Sequence, residues 1–271
     1  MRQLLSLAEL NRAEVAALVD LARRLERLPP RRALEALPGR VLGLLFFNPS
    51  LRTLASFQAG MARLGGSSFV IAPGQGSWVL ETRTGVVMDG AAAEHVREAI
   101  PVLAGYADAL GIRAFAGGQD LEADLADAAF LAMAELCPVP LINLESAVDH
   151  PCQALGDWKT LDELGVPAAG GRFVLSWAWH PKALPLAVPA AAVHMAALRG
   201  MDVTVLRPEG YALPAVVMER ARRAAPWRSS SSSTSSTRSA SASSWCTAAA
   251  RSRRRCRAPS APSRASSPAG G

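Results

Sequence analysis

Seven consecutive residues, Phe47-Asn48-Pro49-Ser50-Leu51-Arg52-Thr53, carry the densest chemistry in this 271-residue chain. They lie between an apolar run of strand length, Val41 to Phe47, and a helix expected to start near Leu51. Ser50 and Thr53 offer hydroxyls, the helix start offers free N–H groups, and Arg52 offers a planar guanidinium fork. That combination suits a phosphate dianion. An ordinary helix cap beside a solvated Arg has the same composition, and the heptad alone does not choose.

Two further constellations stand after apolar runs. Arg113 ends the strand-like Leu110-Gly111-Ile112, where an Arg can polarise a carbonyl or hold an anion; a surface Arg is the plainer alternative. His150-Pro151-Cys152-Gln153 follows the strand Pro140 to Leu144 and opens a helix. His150 and Gln153, three apart at a helix start, can face one crevice. A neutral His there can donate to a carbonyl oxygen that gains charge, or simply cap and pack. Cys152 reads as packing rather than as a nucleophile, because no base is evident beside it.

These residues are positioned by a regular alternation of strands and helices. Asn11 with Glu14 forms a capping-box pattern, Val15, Leu18, Val19, Ala22 and Leu25 follow at helical spacing, and Pro29-Pro30 stops that helix. Strands are expected at 41–47, 69–71, 110–113, 140–144, 173–177 and 203–206. Helices are expected from residue 51 to Gly65-Gly66, over 94–108, over 121–136, from His150 to about Leu164, and over 183–199. Continuous apolar strands between helices indicate parallel sheets covered on both faces. Ligands bind such sheets at the C-terminal ends of strands, where all three constellations lie.

Composition divides the chain near Trp227. It carries 29 basic and 23 acidic residues, net +6. Eight of the Arg and none of the acids fall in 228–271, which leaves 21 basic and 23 acidic residues, net −2, for 1–227. The basic balance therefore belongs to the tail and is poor evidence for nucleic-acid binding by the folded part. No Val, Ile, Leu, Met or Phe follows Met218, so the tail cannot bury enough apolar surface to offset its ordering entropy and is expected to be disordered. The cysteines (137, 152, 246, 256) form no C-x-x-C pair, which disfavours a zinc site or a disulfide framework. The start lacks a signal-peptide pattern and no run approaches a membrane span, so a soluble cytoplasmic protein is expected.

The set Phe-Asn-Pro-Ser-Leu-Arg-Thr (47–53), Gly-Ile-Arg-Ala-Phe (111–115) and His-Pro-Cys-Gln (150–153) resembles the aspartate/ornithine carbamoyltransferases over roughly residues 1–225. Segments such as Gly74–Trp78, Gly85–Gly90 with Glu94-His95, Asn143–Ser146 and Ser176–Lys182 resemble the N-acylornithine branch of that family, which acts in arginine biosynthesis. The resemblance implies an α/β fold of two parallel-sheet domains of carbamoyltransferase type. The first, 1–150, would bind carbamoyl phosphate; the second, 151–226, would be an incomplete amino-acid-binding domain; 227–271 would be the low-complexity tail. It implies that Ser50, Leu51, Arg52 and Thr53 bind the phosphate and that Arg113, His150 and Gln153 hold the carbamoyl group. Glu145, His180 and Lys182 would contact the amino-acid substrate, and Trp78 would reach into a neighbouring subunit's site in a homotrimer. No cofactor or metal is implied.

Some positions depart from the family pattern. Leu54 and Gln58 stand where the family usually has an Arg and a Glu, four apart on a helix, which reads as a lost structural pair rather than a lost phosphate ligand. Ala93 stands where acetyl-specific members carry Glu; an Ala neither repels nor crowds a succinyl carboxylate, so succinylornithine is favoured over acetylornithine. The family's later substrate elements have no counterpart after residue 225, so little or no transferase activity is expected of this chain, down to a non-catalytic phosphate-binding remnant. The tail reads as out-of-frame translation of a GC-rich gene in preference to a segment that binds nucleic acid nonspecifically, because the family resemblance stops where low complexity begins.

Overall fold

The computed structural model describes residues 3–118, 120–178 and 185–224, and the backbone of 230–233. Four parallel strands form the first sheet: β1 (Val41–Phe46), β2 (Ser67–Ile71), β5 (Ala109–Arg113) and β6 (Leu141–Glu145), in the order β2-β1-β5-β6. A two-residue parallel pair, β3 (Leu80–Glu81) with β4 (Glu94–His95), stands apart. The second sheet runs β7 (Arg172–Ser176), β8 (Asp202–Arg207), β9 (Ser230–Ser233), also parallel. The tail, expected to lie outside the fold from residue 227, thus lends four serines to a sheet; its remaining residues lie outside the described ones.

The first sheet is covered on both faces, as its apolar strands require. On one side α4 (Val96–Ala104) and α6 (Ala128–Glu135) bring Val96, Ile100, Phe130 and Met133 onto Leu45, Leu110, Ile112 and Leu141. On the other, α3 (Leu51–Arg63) sets Leu54, Phe57 and Met61 against Leu42, Leu44, Phe46 and Leu144. Leu54 is thus held by packing, which accounts for an apolar residue where an Arg was expected.

Gly43 in the middle of β1 is a packing requirement. A β-carbon there would stand 2.5 Å from Leu110 Cδ2 and 2.8 Å from Phe69 Cζ. Gly43→Ala is expected to cost about 1–3 kcal/mol, the usual penalty of overpacking, read as a lowered urea midpoint at unchanged m-value.

A second core joins α7 (Pro151–Glu163), α8 (Ala187–Arg199), α9 (Ala215–Ala224), β7 and β8. Leu7, and Val15 and Val19 of α1 (Arg12–Glu26), are buried in it too. The first helix therefore packs with the later half of the chain, across the boundary that chain order suggests at residue 150. The Asn11–Glu14 capping box forms as expected, and a short helix α2 (Pro30–Ala33) follows, with Pro30 at its first position.

Two helical expectations are amended. The span 121–136 is two helices, α5 (Leu121–Leu125) and α6, broken at Asp127 with φ +56°. Asp tolerates that left-handed conformation, and its carboxylate is drawn off to accept from Ser146 Oγ and, at 3.1 Å, from the Ala147 N–H. Over 94–108 the helix starts only at Val96, where His95 Nδ1 caps Arg97 N–H at 3.1 Å.

Candidate active site

The ends of β1, β5 and β6 are bound into one unit. Phe47 N–H donates to Arg113 O (3.0 Å), Ala114 N–H to Glu145 O (3.0 Å), and Phe115 N–H to Asn48 Oδ1 (2.8 Å). A register shift between β5 and β6 at Ile112/Arg113 accompanies these contacts. Asn48, inside the phosphate-like heptad, thereby fixes the loop carrying Arg113. Beside these strand ends and the end of β7 lies a cleft of about 400 Å³. Arg52, Arg113, Glu145 and Gln153 line it, with Phe115 and Asp157.

The alternatives left open at these residues now separate. Ser50 does cap α3, accepting from Thr53 N–H at 3.3 Å, and its hydroxyl donates to Thr53 Oγ1 at 2.9 Å. Arg52, exposed on the first turn, faces the cleft; Leu51 is exposed. Arg113 is not a surface residue: it is 7% exposed, and its guanidinium stacks on Phe115 with 4.5 Å to the ring centroid. His150 begins α7 without capping it through its side chain.

One carboxylate oxygen organises the buried centre. Glu145 Oε2 accepts from Arg113 Nη1 and lies 3.4 Å from His150 Nε2. Burial raises the Glu145 carboxyl above the ordinary range, and the Arg113 charge and hydrogen bond oppose this. Burial, and secondarily the Arg113 charge, lower His150 to about 4, so it is neutral at pH 7. Among the described residues, Arg113 Nε and His150 Nδ1 are buried without a hydrogen-bond partner. Gln153 Nε2 donates to Asp157 Oδ1 one turn along α7 at 2.9 Å, which holds the amide on the helix face that lines the cleft. Cys152 is pushed to about 12 by burial and by Asp149, a packing thiol as expected.

The structure does not bring every expected residue here. Trp78 lies on the loop before β3, 61% exposed, with its indole N–H donating to Glu94 at 3.0 Å. His180 and Lys182 lie outside the described residues. Phe115 stands in the 111–115 motif but has no role assigned there, and motif spacing missed Asp157 and Asp149; the last stands directly before His150, which is the only signal it carried. No group of His, Cys, Asp or Glu suited to a metal ion is present among the described residues, and no described helix is long and apolar enough to cross a membrane.

A parallel α/β scaffold here carries an Arg-bearing helix start and, at neighbouring strand ends, a buried Arg113–Glu145–His150 group, an arrangement chemically suited to an anion beside a polarised carbonyl. Residues 2–163 match the family described as aspartate/ornithine carbamoyltransferase, carbamoyl-P binding domain. The chain belongs to the aspartate/ornithine carbamoyltransferase family.

It is 40% identical over 210 residues to N-acetylornithine carbamoyltransferase of Xanthomonas campestris pv. campestris, covering 77% of this chain and 61% of that one. It is 37% identical over 174 residues to N-succinylornithine carbamoyltransferase of Bacteroides thetaiotaomicron, covering 64% of this chain and 54% of that one. A solved acetylornithine transcarbamylase complexed with acetylcitrulline superposes with a TM-score of 0.79 at 36% identity, covering 86% of this chain and 71% of the other. The chain thus spans about three-fifths of the length of the first of these relatives.

Proposed function

We propose that this chain binds carbamoyl phosphate and derives from an enzyme that carbamoylates the δ-amine of an N-acylornithine in arginine biosynthesis. The observation that carries this is the single oxygen, Glu145 Oε2, contacted by Arg113 Nη1 and approached by His150 Nε2. A carbamoyl carbonyl oxygen at that point would meet two positive or dipolar donors in a water-poor site. The phosphate would then reach Arg52 and the Ser50–Thr53 helix start. Glu145 gives way to the carbonyl and turns toward the incoming substrate.

In the reaction the amine nitrogen attacks the carbamoyl carbon and a C–N bond forms. The C–O bond to phosphate breaks, phosphate departs with that electron pair, and the amine loses a proton. Orientation and charge stabilisation suffice, without a cofactor.

Succinylornithine is the favoured acceptor. Ala93 is exposed beside Glu94 and Trp78 and presents no charge. Variants of N-acetyl-L-ornithine transcarbamylase with one glutamate replaced by Ala, Val, Ser or Pro have been solved with carbamyl phosphate and N-succinyl-L-norvaline. Trp78, exposed and outside its own cleft, is assigned to a neighbouring copy in a trimer.

Transfer by this chain is impaired. No Val, Ile, Leu, Met or Phe follows Met218, so residues 228–271 offer little with which to pack the further strands and helices of a substrate domain. The test is calorimetric titration with carbamoyl phosphate alongside an acylcitrulline assay. Expected are saturable binding and turnover at least ~100-fold below that of a full-length relative, as befits a site holding one substrate of two. Absent binding overturns the assignment; turnover matching the relative overturns the impairment; faster reaction of acetylornithine overturns the acyl preference.

A further inference from the structure

The residue before His150 is the centre of a polar cluster that motif comparison does not reach. Asp149 is 3% exposed, and besides its sequence neighbours it meets two distant segments. Its Oδ1 accepts from the His150 N–H at 2.8 Å, and its backbone oxygen accepts from Ser146 N–H at 2.9 Å. Its Oδ2 accepts from Ser6 Oγ and lies 3.7 Å from Arg220 Nη2. Ser6 belongs to the N-terminal segment, which is stitched to β6 by Leu4 N–H to Leu141 O (2.8 Å) and Asn143 N–H to Leu4 O (2.9 Å). Arg220 belongs to α9, buried against the second core through Val217 and Ala221.

A carboxylate this deep needs a cation and donors to keep one orientation. Arg220 is the guanidinium beside it, and its charge also acts on Asp127. Asp127 in turn holds Ser146 and the Ala147 N–H, the loop that leads into Asp149. The loop 146–150 is therefore braced at both ends, by Asp127 from the α5–α6 break and by Asp149 from Ser6 and Arg220. The His150 imidazole caps nothing, its Nδ1 is buried without a hydrogen-bond partner, and its Nε2 lies a long 3.4 Å from Glu145 Oε2, so its direction leans on this backbone as well as on Glu145.

We propose that Asp149, fixed by Ser6 and Arg220, is a positioning residue that aims the His150 imidazole at the carbonyl point shared with Arg113. The proposal rests on the carbamoyl-phosphate assignment above. It makes α9, remote in sequence from every site motif, a determinant of the carbonyl end of the site, while the phosphate end at Ser50–Thr53 stands on the β1–α3 turn.

The test exploits that asymmetry, using calorimetry on the full chain with two probes, carbamoyl phosphate and inorganic phosphate. Arg220→Met is expected to weaken carbamoyl phosphate about 10-fold and to leave phosphate within about 2-fold, a modest effect because the 3.7 Å ion pair carries no hydrogen bond and Asp149 keeps Ser6 and the His150 N–H. Arg220→Lys is expected to recover most of the loss, since it restores a cation. Ser6→Ala, which removes a single hydroxyl, reads the same split at about 3-fold and decides the matter if Arg220→Met fails to fold. Equal loss of both probes, or carbamoyl phosphate bound by Ser6→Ala and Arg220→Met as by the parent, overturns the proposal. A parent chain that binds phosphate but not carbamoyl phosphate instead overturns the functional assignment on which it rests.

Discussion

Arg113→Met is expected to abolish carbamoyl phosphate binding and to lower the unfolding free energy by about 3–5 kcal/mol, the cost of leaving one partner of a buried ion pair alone. Both side chains of the Arg113–Glu145 pair are almost wholly enclosed, at 8% and 7% exposure. Without the guanidinium, Glu145 keeps the burial that already raises its carboxyl and loses the charge that opposed it. It escapes by taking up a proton, so the destabilisation is larger at pH 8 than at pH 5. Arg113→Met combined with Glu145→Gln removes the stranded charge and is expected to recover most of the stability in urea unfolding, yet none of the binding. A double variant as unstable as Arg113→Met would mean that stacking on Phe115, not charge pairing, is what the fold needs. A double variant that binds carbamoyl phosphate would remove Arg113 from the site.

The second large effect is the stability that two buried histidines lose in mild acid. His150 and His194 are each lowered to about 4, chiefly by burial. His194 sits in α8, with the Arg220 charge pushing the same way and only a weak backbone contact to Leu7 in opposition. Unfolded, each imidazole titrates near its ordinary value of about 6.5. Between pH 6.5 and 4 the unfolded chain therefore binds more protons at these two histidines, and their share of the stability falls as pH falls. The contribution is complete above the unfolded value and lost through the folded one, at roughly 3 kcal/mol per histidine.

Four carboxyls work against this. Glu145, Asp127, Asp149 and Asp157 are all raised by burial, so their contribution is full at low pH and declines as pH rises through the raised values. His194→Leu leaves those four in place and isolates one histidine. The slope of unfolding free energy against pH is expected to shrink by about one proton across that window. An unchanged slope would mean that His194 is charged or solvated in the folded protein.

Much of this site was legible in the linear text. Residues 47–53, Arg113 and Gln153 were marked by their types and by their place after apolar strands, because side chains beyond a parallel strand's C-terminal end have few places to go. The start of α1 was legible from Asn11 and Glu14, since a capping box is local. The break at Asp127 was not. Nothing within 121–136 shows that this carboxylate is claimed by Ser146 and Ala147, twenty residues away in sequence and adjacent only in space.

By itself, then, the sequence determined the alternation of strands and helices, the positions where an anion could be received and the loss of large aliphatic residues past Met218. Each of these follows from short-range periodicity, capping or composition. Only the tertiary structure decided that Glu145 joins Arg113 and His150 on one oxygen, that α1 serves the core of α7 to α9, and that Ser6 and Arg220 meet at Asp149. The Arg113–Glu145 and Ser6–Asp149 contacts close gaps of 32 and 143 residues. The favourable terms behind them, burial of charge against charge and of apolar face against apolar face, exist only once the chain has come together.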